Sequence, residues 1–377
     1  MTNLPKGVTN PVWSPDGQRI AFVAATGGDK EERAKSEVEK HRPRVVEHLN
    51  YKLDGIGHFD GRRTHLFVVR VADSSPFHRP EARQITDGDW DDQHPCWSPD
   101  GKEIVFVSYR EPDRHDVIWV SDLWVVSADG GEPRKLTRSR GPAGAPAWSP
   151  DGKWIAYAGH EHGPAGVAHT THVFVAPAAG GESCSITTAL DRHVLVPPFH
   201  PLGTLAWSPD STGVSFMAMD RGNVSVFFAD LGGNVRTVVA GERQVTAFTA
   251  TPDGARLAFT AWNPENPGEV YVADGRGCEE RQLTEVNRDL GAEVALGRTE
   301  RIHCQGADGW EIEGWVVKPP TFQEGQRYPA ILEIHGGPHS QYGNAFQPVF
   351  HALAGAGYLV VYLNPRGSAG YGEAFCQ

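Results

Sequence analysis

Short apolar runs recur along the first 290 residues, and each follows a turn rich in Pro, Asp and Gly. The runs contain mainly Val, Ile, Phe and Ala and span residues 19–23, 103–107, 154–157, 213–216 and 256–259. Further apolar runs follow at residues 122–126, 172–175 and 269–272. Short runs of β-branched and aromatic residues between turn residues are typical of β-strands. The pattern therefore predicts a chain built mainly from short strands.

The turn before each run is Trp-Ser-Pro-Asp-Gly or a variant of it. Copies begin at Trp13, Trp97, Trp148 and Trp207, the last with Ser in place of Gly, and a diverged copy begins at Ala250. Proline presets φ for the first turn position, aspartate accepts hydrogen bonds from the nearby backbone, and glycine adopts a positive φ at little cost. The sequence therefore predicts the same tight turn five times.

A Leu-Thr or Ile-Thr pair closes most repeats, at residues 85–86, 136–137, 186–187 and 283–284. The copies are about 40 to 60 residues apart after a longer first interval, which is the spacing of the four-stranded blades of β-propellers. We therefore predict a β-propeller over residues 1–290, with the number of blades left open. The charged residues in the first interval predict a helical insertion at about 29–60.

The pattern changes after residue 290. A hairpin is predicted across residues 300–317, where the segments 300–303 and 310–317 flank an Ala-Asp-Gly turn at 307–309. Uninterrupted apolar runs at 328–335 and 358–363 lie on either side of a helix-compatible segment, 345–355. Such runs are typical of strands buried on both faces of a parallel sheet. Strand, glycine loop, helix and strand together predict the beginning of an α/β domain over residues 291–377.

Composition narrows the classes of function. The 377 residues are 39% hydrophobic and 22% charged, which is typical of globular proteins, and a net charge of −12 disfavours a nucleic-acid partner. No apolar run is long enough to span a membrane. The five cysteines are scattered without a Cys-x-x-Cys pair and predict reduced thiols in the cytoplasm. No cofactor or metal site is predicted, because His160, His162, His169 and His172 lack the spacing of metal ligands.

Two motifs in the α/β segment carry a resemblance to a known family. The first is His335-Gly336-Gly337-Pro338, and the second is Asn364-Pro365-Arg366-Gly367-Ser368-Ala369-Gly370-Tyr371-Gly372. Together with the preceding repeats, they resemble the acylaminoacyl-peptidase and dipeptidyl-peptidase branch of the prolyl oligopeptidase family, over nearly the whole chain. The resemblance implies a β-propeller followed by the N-terminal part of an α/β-hydrolase fold. It also implies a serine peptidase that hydrolyses short peptides through an acyl-enzyme.

The first motif fits the chemistry of acyl transfer. This reaction passes through a tetrahedral intermediate whose oxyanion needs N–H donors. In α/β-hydrolases one donor follows the nucleophile and the other comes from a glycine-rich loop after the third strand. We therefore predict the backbone amide of Gly337 as an oxyanion donor, with His335, Gly336 and Pro338 shaping the loop. The sequence assigns no direct role to the second motif, whose notable residues are Asn364, Arg366, Gly367 and Tyr371.

A serine nucleophile of this class needs the motif Gly-x-Ser-x-Gly, and the sequence contains none. Ser368 has Arg366 where the first glycine is required, and Ser340 fails for the same reason. Because the triad runs Ser, Asp or Glu, and then His along the chain, we expect all three residues beyond Gln377 and the chain alone to be inactive. The apolar faces of residues 330–335 and 358–363 would then be exposed.

Two other functions are left open. A non-catalytic propeller scaffold would bind protein partners, although the absence of a signal peptide and the presence of residues 328–372 argue against it. An esterase is disfavoured by the predicted propeller cap. For the peptidase, the expected partner is a short peptide, with no nucleic acid and no membrane. A homo-oligomer and the type of peptide that is preferred are left open.

Overall fold

The structure is a computed structural model. It describes residues 4, 7–27, 45–46, 49–53, 57–59, 61–71, 81–111, 117, 119–138, 140–163, 169–194, 204–337 and 339–377. The predicted helical insertion at about 29–60 falls largely outside these residues. No helix in the described ranges is both long enough and apolar enough to cross a membrane.

The first three sheets have four strands each. The first has the order β1-β2-β5-β6 and consists of β1 (Thr9–Trp13), β2 (Arg19–Gly27), β5 (Arg62–Arg70) and β6 (Arg83–Gln84), while β3 (Lys52–Leu53) and β4 (Gly57–His58) form a separate ribbon. The second has the order β10-β9-β8-β7 and consists of β7 (Asp92–Trp97), β8 (Glu103–Ser108), β9 (Asp122–Ser127) and β10 (Arg134–Lys135). The third has the order β11-β12-β13-β14 and consists of β11 (Ala143–Trp148), β12 (Trp154–Gly159), β13 (His172–Pro177) and β14 (Cys184–Ser185).

The fourth sheet has eight strands. They are β15 (Ala206–Trp207), β16 (Gly213–Asp220), β17 (Asn223–Asp230), β18 (Val235–Val239), β19 (Gln244–Ala250), β20 (Arg256–Asn263), β21 (Asn266–Asp274) and β22 (Arg281–Gln282). The fourth and fifth turn copies both lie in this sheet, because β17 and β19 pair in parallel where Val224 is opposite Gln244. A short helix, α1 (Arg288–Glu293), follows it.

The last sheet is mixed and has the order β23-β24-β26-β25. Its elements are β23 (Arg298–Gln305), β24 (Glu311–Lys318), β25 (Ala330–Glu333), α2 (Pro348–Gly355) and β26 (Leu359–Asn364), followed by α3 (Glu373–Cys376). The antiparallel pair β23–β24 confirms the predicted hairpin. The strands β25 and β26 are paired directly and in parallel, and α2 connects them along the chain. Residues of β24, α2 and β26 form the core of the sheet, with Trp315, Phe350 and Tyr362 at its centre.

Burial of the two parallel strands agrees only in part with the two expectations for them, burial on both faces and exposure of an apolar face. In β26, Val360 and Tyr362 are at most 1% exposed, while the alternate residues on the other face are partly exposed, so the expected exposure is wrong for the first face only. Around β25, Leu332 is 57% and Ile334 is 74% exposed, so this run is not buried on both faces, and the expected exposure of its apolar residues is confirmed. The strand β25 is at the edge of the sheet, and nothing in the described residues covers these two side chains.

The predicted fold class, a β-propeller followed by the N-terminal part of an α/β hydrolase, is wrong for this structure. The described strands form several separate small sheets and one larger sheet, and they do not close into a propeller. The repeated turn encodes a hairpin through contacts within a few residues, but it does not determine how successive sheets join. The eight-stranded sheet shows this, because two turn copies share it.

All five predicted turns are present with the same hydrogen bonds. In each copy a Ser or Thr hydroxyl donates to the Asp carboxylate at 2.5 to 2.7 Å, and the pairs are Ser14–Asp16, Ser98–Asp100, Ser149–Asp151, Ser208–Asp210 and Thr251–Asp253. The glycine at the fifth position of the motif has a φ between +66° and +74° in the four copies that contain it. Ser211 adopts a φ of +59° in the remaining copy. The turn geometry is therefore kept even where glycine is absent.

The threonine of each closing pair ties a short strand to a longer one. Its Oγ1 accepts an amide N–H at 2.9 to 3.0 Å, and the pairs are Leu66 with Thr86, Leu123 with Thr137, Val173 with Thr187 and Val270 with Thr284. The side chain thus satisfies a main-chain donor that would otherwise be left unpaired.

The chain divides into two compact units. The first comprises Met1–Gly166 and Val175–Cys184, and the second comprises Val167–Phe174 and Ser185–Gln377. The sequence boundary at residue 290 between a repeat domain and a catalytic domain stays a prediction. All residues of the candidate site belong to the second unit.

Candidate active-site loop

The first motif forms a loop directly after β25, at the carboxyl end of a strand in the parallel pair. Gly337 has a φ of +141°, in a region that side-chain-bearing residues rarely adopt, and it is exposed. A Cβ on Gly337 would lie 2.7 Å from the backbone nitrogen of His339. Gly336 has neither constraint, because a Cβ there would meet nothing within 4 Å. The structure therefore requires glycine at 337. Pro338 lies outside the described residues.

The imidazole of His335 contacts groups on both sides of the loop. Its Nε2 is 2.9 Å from Ser368 Oγ, and its Nδ1 is 3.0 Å from the carbonyl oxygen of Gly336. Ser368 is 1% exposed, and its Oγ is also 2.7 Å from the carbonyl oxygen of Pro365, so its single hydroxyl proton is shared between the His335 Nε2 and this carbonyl. Because this hydroxyl is buried and engaged by the loop, its position suits a structural role and not that of a nucleophile. The edge of Tyr342 also packs against the His335 ring, with centroids 5.3 Å apart.

Asn364 connects the second motif to the same loop. Its side chain is fully buried, its Oδ1 accepts the Tyr342 N–H at 2.7 Å, and its Nδ2 donates to the Tyr342 carbonyl at 2.9 Å. The Nδ2 also donates to the Tyr371 hydroxyl at 2.8 Å. The amide of Ala369 donates to the carbonyl of Ser340 at 2.9 Å. The two motifs, which the sequence treats as separate, therefore form one hydrogen-bonded assembly.

Tyr371 extends this network to the carboxylate of Glu313, to which its hydroxyl donates. Burial, with a further contribution from the hydrogen bond to Glu313, raises the pKa of Tyr371 far above its usual range. The guanidinium of Arg301 is 3.4 Å from the other oxygen of Glu313. Tyr371 is therefore a neutral donor at physiological pH, and it cannot act as a base.

The other two notable residues of the second motif, Arg366 and Gly367, have partners near the chain's β23–β24 turn and in α3. The Arg366 guanidinium pairs with Asp308 at 2.6 Å and lies over the Trp310 ring, at the turn between β23 and β24. Gly367 has a φ of +98°, and its amide donates to the carbonyl of Phe375 at 2.8 Å. These contacts fix the end of the motif to its surroundings and place neither residue against Gly337.

A further contact beside the loop, between His339 and Cys376, could not be recognised from the sequence. The His339 Nδ1 is 3.0 Å from the Cys376 Sγ. Burial, and then the charges of Glu373 and Asp191, raise the pKa of the Cys376 thiol to about 11. Burial also lowers the pKa of His339. The pair is therefore a neutral thiol beside a neutral imidazole, without the thiolate that a cysteine nucleophile needs.

The tip of the β16–β17 hairpin holds the far end of the loop. The Gln341 side chain accepts the Gly222 N–H at 3.1 Å and donates to the Asn223 carbonyl at 2.9 Å. The amide of Asn344 donates to the Gly222 carbonyl at 2.8 Å. A Cβ on Gly222 would lie 2.4 Å from the Trp315 ring. Backbone and side chains pack here more closely than any residue larger than glycine allows.

Comparison with known proteins gives the chain's relatives. No family model matches it. The "Uncharacterized peptidase YuxL" of Bacillus subtilis is 32% identical over 383 residues, which cover 100% of this chain and 57% of that protein. Dipeptidyl-peptidase 5 of Porphyromonas gingivalis is 24% identical over 97% of this chain and 54% of its own length. The homologues are peptidases. The chain spans about half the length of these curated relatives.

Solved structures show the same fold over the whole chain. The uncomplexed acylaminoacyl peptidase of Pyrococcus horikoshii matches with a TM-score of 0.75 and 24% identity, over 98% of this chain and 53% of that one. A puromycin-hydrolyzing peptidase of Mycobacterium tuberculosis matches with a TM-score of 0.67 and 18% identity, over 100% of this chain and 53% of that one. At these identities the similarity establishes the fold alone.

Proposed function

We propose that this chain is part of a serine-type peptidase of the prolyl oligopeptidase family. In this proposal the Gly337 amide is one of the donors that stabilise the oxyanion during hydrolysis of short peptides. The similarity to a peptidase along the full length of the chain supports peptide hydrolysis. The conformation of Gly337 is the observation that carries the proposed role of the loop, because its positive φ and exposed backbone suit an amide that contacts a ligand.

The chemistry explains why a backbone amide suits this position. A carbonyl under attack gains negative charge on its oxygen, and a donor that is already oriented stabilises this charge without reorganisation during the reaction. Gly337 follows an edge strand of the sheet, and its backbone is exposed. A substrate carbonyl can therefore approach the amide without displacing a side chain.

The nucleophile and its partners are a separate part of the proposal. The sequence contains no Gly-x-Ser-x-Gly motif, and the curated relatives are about twice as long as this chain. We therefore place the Ser, Asp and His of the triad in polypeptide that this sequence does not include, and we expect the chain alone not to hydrolyse peptides. A cytoplasmic location, catalysis without a cofactor and a short peptide as substrate also stay proposals.

Substitution of Gly337 by Ala tests the role of the loop in a longer polypeptide that contains this sequence and hydrolyses a chromogenic peptide. The new Cβ would press on the His339 nitrogen and displace the amide. We expect kcat to fall by about 10²–10³-fold, the usual cost of losing one oxyanion donor, with KM little changed. Gly325→Ala is the matched control, because Gly325 has a φ of +83° and open space around it.

Two outcomes would contradict the proposal. If Gly337→Ala and Gly325→Ala reduce kcat equally, the loop has no special part in the reaction. If the isolated 377-residue chain reacts stoichiometrically with a fluorophosphonate probe, it contains an activated serine, and the placement of the triad elsewhere is wrong.

A further inference from the structure

The glycine loop has few main-chain hydrogen bonds of its own. Among the described residues from 335 to 341, the only main-chain bond found is the one that the Ser340 carbonyl accepts from Ala369. The loop is also held by side-chain contacts. Two of them come from the second motif: Ser368 bonds to His335 at the start of the loop, and Asn364 bonds to Tyr342 at its end, beside the contacts that Gln341 makes with the β16–β17 hairpin tip. Gly337 lies between these two points.

We propose that Asn364 and Ser368 are positioning residues that fix the direction of the Gly337 amide by holding both ends of the loop. We call these two residues the clamp. This inference rests on the proposed function, since it gives a role in that site to a motif that has none from sequence. Neither residue touches a substrate. Both act through the loop, Asn364 on the backbone of Tyr342 and Ser368 on the ring of His335.

The geometry of Asn364 is the strongest part of the argument. Its side-chain amide accepts from the N–H and donates to the C=O of the same residue, which is how a neighbouring strand pairs with an extended residue. Because Asn364 is the last residue of β26, the buried strand that pairs with β25, its side chain transmits the rigidity of the sheet to the loop. Complete burial excludes water as a competing partner.

His335 links Ser368, the second residue of the clamp, to the Gly337 amide. The Gly336 carbonyl and the Gly337 N–H belong to one planar peptide group, so fixing the carbonyl fixes the direction of the N–H. In the tautomer with the proton on Nδ1, the His335 ring donates to that carbonyl oxygen at 3.0 Å, and its Nε2 accepts the Ser368 hydroxyl at 2.9 Å. Loss of the Ser368 hydroxyl would free the His335 ring to rotate, and the peptide group between Gly336 and Gly337 would lose its hydrogen bond to that ring.

Amide hydrogen exchange on the 377-residue chain tests the clamp without requiring activity. We expect Asn364→Ala to speed exchange across residues 335–342 by about 10-fold or more, because a buried N–H loses its acceptor. Ser368→Ala changes the volume least and is the second variant if Asn364→Ala does not fold. The matched control is Asn287→Ala, which removes an amide that donates to the Gly268 carbonyl and the Glu269 carboxylate.

The exchange rates distinguish a clamp on the loop from an ordinary role in the core. Faster exchange in the loop, with the rest of the second unit unchanged, supports the clamp. Unchanged exchange in the loop for both variants overturns it, and so does an equal rise throughout the unit, because the residues would then be ordinary core. In the longer active polypeptide the clamp predicts a lower kcat at unchanged KM for both variants. A loosened loop with normal kcat would refute the proposed function of Gly337 but not the clamp.

Discussion

The repeated turns and the glycine loop are both tight, glycine-containing bends, yet they are held in opposite ways. In the third turn, Ser149 bonds to Asp151, Asp151 accepts the amide of Lys153, and Ser149 accepts the amide of Trp154. All these partners lie within five residues of one another. In the glycine loop, the partner of His335 is 33 residues away and that of Tyr342 is 22 residues away.

The difference determines what each bend depends on. A turn that contains its own donors and acceptors keeps its shape whatever packs against it, so it can be repeated in different sheets. A loop that borrows its partners from a distant strand keeps its shape only while the whole unit is folded. Such a loop can be oriented to a precision that a local turn does not need, and this suits a group that must point at a reacting atom.

The largest effect is expected where a distant contact and a positive φ coincide, at Gly222. Alanine there would meet the Trp315 ring at 2.4 Å and would also have to adopt a φ of +73°. The strain and the overpacking together should lower the free energy of unfolding by about 3 kcal/mol or more. Urea denaturation of the wild type and the Gly222→Ala variant measures this loss.

The Gly309→Ala variant separates the cost of backbone strain from the cost of overpacking. Gly309 belongs to the same unit and has a φ of +78°, but a Cβ on it would meet nothing within 4 Å. Its substitution should cost only the backbone strain, about 1–2 kcal/mol. Equal losses for the two variants would mean that the contact of the hairpin tip with Trp315 contributes nothing.

The repeated turns, which are held by local hydrogen bonds, could be predicted from the sequence. Each copy of the turn motif finds its hydrogen-bond partners within a few residues, so all five turns and most of their strands were predictable. The assembly of the sheets was not, because β17 meets β19 through pairing that no short motif encodes. The prediction of a β-propeller is wrong because it did not anticipate this pairing between successive sheets.

The candidate site divides in the same way. The need for glycine at 337 follows from the motif and agrees with the φ of +141°. The pairing of Asn364 with Tyr342 and the contact of His339 with Cys376 depend on how β26 and α3 pack, so residue types alone could not reveal them. Even the exposure of Ile334 depends on its place at a sheet edge and not on its hydrophobicity.

A closing threonine tests an intermediate case, in which the partner is 14 residues away. Thr187 is fully buried and accepts the amide of Val173, which is itself fully buried. Thr187→Val keeps the volume and leaves that N–H without its acceptor, so the free energy of unfolding should fall by about 1–3 kcal/mol. The neighbouring Thr188 is exposed, and Thr188→Val should stay within about 0.5 kcal/mol of the wild type. A Thr187→Val variant as stable as Thr188→Val would show that the threonine does not secure the strand.

The smallest effect concerns the charge within the repeated turns. Hydrogen bonds from the hydroxyls of Ser208 and Thr212, and then from the Thr212 backbone amide, lower the pKa of Asp210. Serine or threonine hydroxyls likewise lower the pKa of the aspartates in the other four turns, which are Asp16, Asp100, Asp151 and Asp253. A carboxyl whose pKa is lower in the folded state stabilises the fold above its unfolded pKa, and this contribution is lost as the pH falls through the folded value.

Asp210→Asn isolates this contribution, because the amide keeps an acceptor oxygen but cannot ionise. The stability difference between the wild type and Asp210→Asn, from urea midpoints at pH 6 and at successively lower pH, should shrink towards zero below about pH 4. Ser208→Ala removes the first hydroxyl donor and should flatten the pH dependence of the wild type in the same range. A difference that stays constant from pH 6 to pH 3 would mean that the turn needs only the oxygen of Asp210 and not its charge, so the local bends would be held by geometry alone.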